Sequence, residues 1–267
     1  MFDPVTENGL FRQEYVLQEA FNLKQQIMSI INDKYEYSLR RLYEEMDSGK
    51  PYVKCEYGDI NELDRVDPQK LFDVYKDVIT GNMIDIFVAG DVDSDEICSV
   101  FTEKFNFSDR KAPEPYKTEV IIPDKVRYAE EALDIKQVKL NIGYRTNITA
   151  SDPDYFKLLM FNAVFGGTVN SKLFMNVREK ASLCYSISSS IDKFNGIMTV
   201  CTGIEPSKRE KAYEIIKKQF DEILSGNVTD FEYDSAVKDF ATRTRMVNDS
   251  AYSLINFYYG NRMAGLD

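Results

Sequence analysis

Residues 165–185 read FGGTVNSKLFMNVREKASLCY. An apolar helix end runs into Gly166-Gly167, a second amphipathic helix follows, and that helix gives way to a strand near Cys184. Arg178 and Tyr185, 7 residues apart, straddle the helix-to-strand junction. Such a corner can hold two polar side chains against an extended peptide. The plainer readings are that Arg178 pairs with a surface acid and that Tyr185 packs in a sheet with its hydroxyl at the rim. Gly166-Gly167 lacks any further phosphate-loop pattern, so a glycine-mediated helix–helix corner explains it better.

Downstream of this stretch, Cys184 to Asp192 and Gly196 to Ile204 read as a β-hairpin. Pro206 to Leu224 and Thr229 to Asn248 are amphipathic helices, and a third begins near Ala251. Just upstream, Asp152-Pro153 opens a helix that runs to Phe165, and Asn170 or Ser171 opens the next, to about Lys180. Before these lie extended segments around Val120–Ile122, Val126–Ala129 and Val138–Tyr144.

The N-terminal part is helical first. Leu10 to about Asp33 shows apolar residues at spacings of three and four, and Tyr35 to Met46 continues as a second helix that Gly49 and Pro51 stop. Asp67-Pro68 is a strong helix start, and Gly81-Asn82 ends that helix. Met83–Gly90 (MIDIFVAG) predicts a buried strand, and Asp93 to Phe105 a helix. Ser108–Thr118 (SDRKAPEPYKT) is charged, carries Pro113 and Pro115, and lacks apolar periodicity, so it reads as a linker. Helices and strands come in blocks without regular βαβα alternation. The expected class is α+β, with mostly antiparallel sheet covered by helices on one face.

A chain of 267 residues can form two ordinary domains. With 43% hydrophobic and 29% charged residues, the composition is globular. A net charge of −11 argues against non-specific binding to nucleic acid or to an anionic membrane. Apolar runs such as Phe156–Phe165 are too short to span a bilayer, and the N-terminus has neither a basic region nor an apolar signal core. Cys55, Cys98, Cys184 and Cys201 form no CxxC pair and read as reduced thiols of a cytoplasmic protein. The abundant Tyr and Phe, without Trp, fit aromatic cores better than a base-stacking platform.

No histidine occurs anywhere. The imidazole that usually binds zinc, or acts as base in Ser and Cys hydrolases, is therefore missing from these residues. Carboxylate-only and Lys-based mechanisms stay open, but nothing singles one out. Asp91-Val-Asp93-Ser-Asp95-Glu96 resembles the start of a calcium loop but has Glu96 where Gly is needed and Thr102 where the bidentate Glu belongs. These acids read as caps of the following helix.

The segment FGGTVNSKLFMNVREKASLCYSISS resembles the C-terminal-half signature of the pitrilysin/insulinase family of zinc metallopeptidases, the inverted His-x-x-Glu-His clan. EYVLQEAFNLKQQI and IDIFVAGDV, within residues 2–92, are similar to the same family. The resemblance implies paired, related α+β domains around a peptide-binding chamber. It implies that 1–107 is the second half of an N-terminal domain, 108–118 a linker, and 119–267 a C-terminal domain truncated at its end. On this view the chain is a fragment whose zinc-motif region lies upstream.

The family's downstream zinc-binding Glu falls at Gln26, and a one-residue slip puts Gln25 or Ile27 there. A neutral carboxamide is a poor zinc ligand, so the resemblance implies no metal in this chain and no activity of the chain alone. Zinc would sit on a partner subunit or in the missing N-terminal region. The resemblance also makes Arg178 and Tyr185 substrate-binding residues that reach a peptide near its scissile bond. The implied role is the non-zinc subunit of a two-component peptidase, a heterodimer with a zinc-bearing homologue. Self-association, a peptide-binding pseudopeptidase, and a zinc endopeptidase with its motif upstream are the other readings.

Overall fold

A computed structural model describes residues 3–105, 110 and 118–266. In chain order the elements begin with β1 (Thr6–Glu7), β2 (Leu10–Phe11), α1 (Gln13–Ser29) and α2 (Lys34–Asp47). Next come α3 (Ile60–Leu63), α4 (Pro68–Gly81), α5 (Ser94–Lys104), β3 (Val138–Arg145) and α6 (Tyr155–Asn162). Two π-helical turns follow, Ala163–Gly167 and Phe174–Lys180. The chain then forms β4 (Cys184–Asp192), β5 (Ile197–Ile204), α7 (Arg209–Leu224), α8 (Asp230–Met246) and α9 (Ala251–Met263). The class is α+β with antiparallel sheets, as the block pattern predicts. Two compact units divide the chain: Met1–Asp33 with Gly49–Tyr116, and Lys34–Ser48 with Lys117–Asp267.

The first unit opens with a hairpin that the apolar periodicity hid. Asn8 and Gly9 take φ of 53° and 79°, the left-handed pair that a two-residue hairpin turn needs, and Thr6 pairs with Phe11. The helix expected from Leu10 therefore begins at Gln13. Phe11 packs edge-on against Phe72 and Tyr75 of α4, at 5.3 and 5.4 Å. Asp67 accepts from the Lys70 N–H at 2.9 Å and Pro68 fills the first turn, so α4 starts where the sequence placed it. Asp93 likewise caps α5 through the N–H groups of Asp95 and Glu96, at 3.0 and 2.9 Å. The calcium-like run is thus a helix cap.

Met83–Gly90 corrects an expectation. It belongs to no ladder, and Met83, Ile86 and Val88 are exposed. An aliphatic run supplies strand propensity, yet a strand exists only where neighbouring backbone pairs with it, and none does among the described residues. Most of the expected linker, 108–118, lies outside the described residues.

In the second unit, β5 is central, antiparallel to β3 on one side and β4 on the other. The β4–β5 turn is held by the Asp192 carboxylate, which accepts from the N–H groups of Phe194 and Asn195 at 3.0 Å each. Phe165, Leu173 and Val177 from the π-helical region meet Ile187, Met198, Val200 and Ile204 of the sheet and Ala212 and Ile216 of α7 in one core. Tyr144 stacks on Phe220 at 4.8 Å, with Phe161 and Phe165 edge-on, so aromatic residues do fill this core. A second cluster joins Ala163 and Val164 to Ala236 of α8.

Helix α2 lies across the other face of the sheet. Ser38 accepts from Asn141 at 2.8 Å, Asp47 forms a buried ion pair with Arg145, and the Met46 sulfur occupies the space a Cβ at Gly143 would need. The expected extended segments 120–122 and 126–129 form no ladder. Ile121 is instead held by the Asn147 side chain, which accepts from its N–H and donates to its carbonyl, while Val120 and Ile122 are exposed.

Candidate functional site

The corner between the second π-helical turn and β4 brings Arg178 and Tyr185 together. A π-turn carries an extra residue relative to an α-helix and commonly marks functional positions. Here the widened helix closes with Ser182 at φ 51°, its N–H on the Arg178 carbonyl at 3.1 Å, and the Leu183 N–H on Val177 at 3.1 Å. The chain then enters β4 through an irregularity: Cys184 pairs with Ile204, but the next paired residue is Ile187, opposite Thr202. A bulge re-aims side chains at a sheet edge. Tyr185 sits in it, 84% exposed.

Arg178 lies between two rings. Its guanidinium carbon is 4.4 Å from the centroid of Phe174 and 5.8 Å from that of Tyr185. Glu179 offers a carboxylate 3.6 Å from Nε, but both side chains are solvated, so that pair holds the arginine weakly. Arginine presents only donors and the tyrosine hydroxyl adds another, which suits the corner to carbonyl or oxyanion acceptors. The plain reading of Tyr185, packed in the sheet, does not hold: its ring stands out from the rim. Beside it, burial pushes the Cys184 thiol up, against the opposing pull of Thr202 and Arg178. Strand β4 is an edge strand, and its outer side has no ladder partner among the described residues.

Sequence reasoning missed the platform under the arginine. Phe174 and Arg178 are four residues apart, a helical neighbour spacing that could have signalled the stack. It also missed the polar anchors behind the turn. Lys172 reaches Glu232 of α8 at 3.0 Å, and Asn176 donates to Gln219 of α7 at 2.9 Å. Those partners are 60 and 43 residues away, and no local pattern links them.

Gln26 lies on α1 in the first unit, with its side chain exposed and its carbonyl accepting from the Ser29 hydroxyl at 2.8 Å. No three His, Cys, Asp or Glu side chains converge as a metal site among the described residues. A neutral carboxamide on an exposed helix face does not fit zinc. Among the described residues no helix is long and apolar enough to cross a membrane.

A family model for the peptidase M16 inactive domain matches residues 65–240, more than half of the chain. This chain belongs to that family. The M16 assignment agrees with the pitrilysin resemblance carried by residues 165–189. The "Probable inactive metalloprotease YmfF" of Bacillus subtilis (strain 168) is 38% identical over 272 residues, covering 100% of this chain and 63% of the relative. A crystal structure of a conserved protein from Enterococcus faecalis V583 superposes with a TM-score of 0.86 at 31% identity, covering 98% of this chain and 62% of that one. The peptidase M16 inactive domain from Pseudomonas fluorescens shares the fold, with a TM-score of 0.73 at 16% identity, over 96% of this chain and 61% of that one. The chain therefore spans less than two thirds of the length of each of these proteins.

Proposed function

We propose that this chain is the non-zinc member of a two-component M16 peptidase, holding peptide with Arg178 and Tyr185 while a zinc-bearing homologous partner cuts it. The observation that carries the reading is the Arg178–Tyr185 pair itself, stacked at an exposed corner beside an open strand edge. An extended peptide would pair its backbone with β4. The Arg178 fork would donate to a peptide carbonyl, and the Tyr185 hydroxyl to the peptide or the developing oxyanion. Gln26, at the position of a ligand carboxylate, leaves the metal to the partner. Segments 1–107 and 119–267 would be two peptidase-like domains joined by 108–118. Four free cysteines suit a reducing, cytoplasmic compartment.

The test is reconstitution with a homologous zinc subunit encoded nearby. Arg178→Ala and Tyr185→Phe are each expected to lower kcat/KM for peptide cleavage about 10-fold or more, in line with the loss of a transition-state donor. Unchanged cleavage in both variants would rule out catalytic support.

The open β4 edge favours one second reading, a pseudopeptidase that binds peptide without assisting any reaction. Stoichiometric peptide binding with no effect on the rate of a zinc-bearing homologue would select it.

A further inference from the structure

The sheet face on which α2 lies carries polar groups in rows that run out to the β4 edge. Asn141, Cys201 and Ser188 stand opposite one another across β3, β5 and β4. In that row the Asn141 carboxamide donates to Ser38 at 2.8 Å, and the Tyr35 hydroxyl is hydrogen-bonded to Cys201 and Ser188. In the next row buried Thr199 shares a hydrogen bond with Ser190 at 2.9 Å. Ser188 and Ser190 are exposed. Ile187 and Ser189, which alternate with them, are buried on the core face, where Ser189 donates to the Asn162 side chain at 2.7 Å.

Edge strands are commonly guarded against pairing by charged side chains. No residue of β4 from Cys184 to Ile191 is charged. A serine hydroxyl has one proton and two lone pairs, so one bond, to Tyr35 or to Thr199, leaves Ser188 and Ser190 each able to make another. A strand paired with β4 would place side chains opposite these two serines on the same face, with Cβ atoms about 5 Å away. At that separation a hydroxyl side chain can bond the serine, whereas an aliphatic one covers it and offers no partner.

We propose that the peptide bound along β4 presents hydroxyl side chains, threonine or serine at alternate positions, to Ser188 and Ser190, so that both rows continue across a further strand. This rests on the reading of β4 as a peptide-binding edge and adds the class of peptide that it takes.

The probes are capped heptapeptides with lysine at both ends, alanine at the third and fifth positions, and either threonine or valine at the second, fourth and sixth. Each is titrated into the full chain in heteronuclear NMR, where shifts of β4 amides locate the site. The threonine peptide is expected to bind about 3-fold or more tightly than its valine isostere. Ser188→Ala/Ser190→Ala removes both hydroxyls at exposed positions and should bring the two affinities together. Equal affinities in the wild type, or a threonine preference that survives the double substitution, overturns the proposal and leaves peptide binding at β4 standing. Binding away from β4, or no binding of either peptide, overturns it together with strand pairing at that edge. A threonine preference combined with unchanged cleavage in Arg178→Ala and Tyr185→Phe would sustain this proposal and remove the catalytic role.

Discussion

The Arg178 guanidinium stacks on Phe174 at 4.4 Å, one helical turn back along the same π-helical segment. This contact, more than the solvated Glu179 carboxylate, restricts where the guanidinium can lie. Cation–π contact at an exposed site contributes about 0.5–1 kcal/mol. Replacing Phe174 by leucine should therefore weaken peptide handling about 2- to 5-fold, less than loss of the arginine itself. Peptide cleavage by the reconstituted mixture measures it, and a loss as deep as that of Arg178→Ala would contradict a supporting role for the ring.

Lys172 and Glu232 form an ion pair with side chains 7% and 15% exposed. Removing one member of a buried pair strands the other and costs about 3–5 kcal/mol, whereas replacing both by apolar residues costs much less. Urea unfolding should thus place Lys172→Met well below wild type and Lys172→Met/Glu232→Leu between them.

The same carboxyl gives acid sensitivity. Burial raises the pKa of Glu232, but the Thr229 N–H and Lys172 outweigh it and hold the group below its ordinary 4.5. A group depressed in the folded state contributes stability that is complete above the unfolded value and lost as pH falls through the folded one. Glu232→Gln should flatten the decline in unfolding free energy below about pH 4.5. An acid limb identical to wild type would sink this assignment.

Tyr35, Tyr43 and Tyr144 are pushed up to about 12, in each case chiefly by burial. Raised pKa values favour the neutral phenol in the fold. The corresponding stability is whole below pH 10 and lost as pH rises towards 12. Absorbance titration should show a late tyrosinate step that coincides with loss of the far-ultraviolet helical signal.

Gly196 closes the β4–β5 turn at φ 61°, and a Cβ there would stand 3.0 Å from the Asn147 Cα. Alanine would meet both an unfavourable backbone region and a fixed neighbour, so Gly196→Ala should destabilise by more than about 1 kcal/mol. Thermal unfolding of the variant checks this, with an unchanged midpoint as the contrary outcome.

Much of this fold was legible because its signals are local. Asp67-Pro68, Asp93 and Thr229 mark helix starts by capping chemistry, which involves only three or four neighbouring residues. The β4–β5 hairpin was legible from alternation and a turn. Met83–Gly90, 120–122 and 126–129 were not, because strand character is settled by a pairing partner elsewhere in the chain. The Asn8-Gly9 turn was a local signal passed over in favour of helical periodicity.

The sequence by itself determined the family motif, the helix caps, the Arg178 and Tyr185 spacing and the absence of imidazole, all of which depend on residue identity and short separations. Only tertiary structure decided that the helix at 174–180 widens into a π-turn, that Tyr185 stands out on a bulge, and that Arg178 rests on Phe174. Behind that corner Asn176 meets Gln219 and Lys172 meets Glu232. Directional bonds between residues far apart in the chain form only once α7 and α8 have packed.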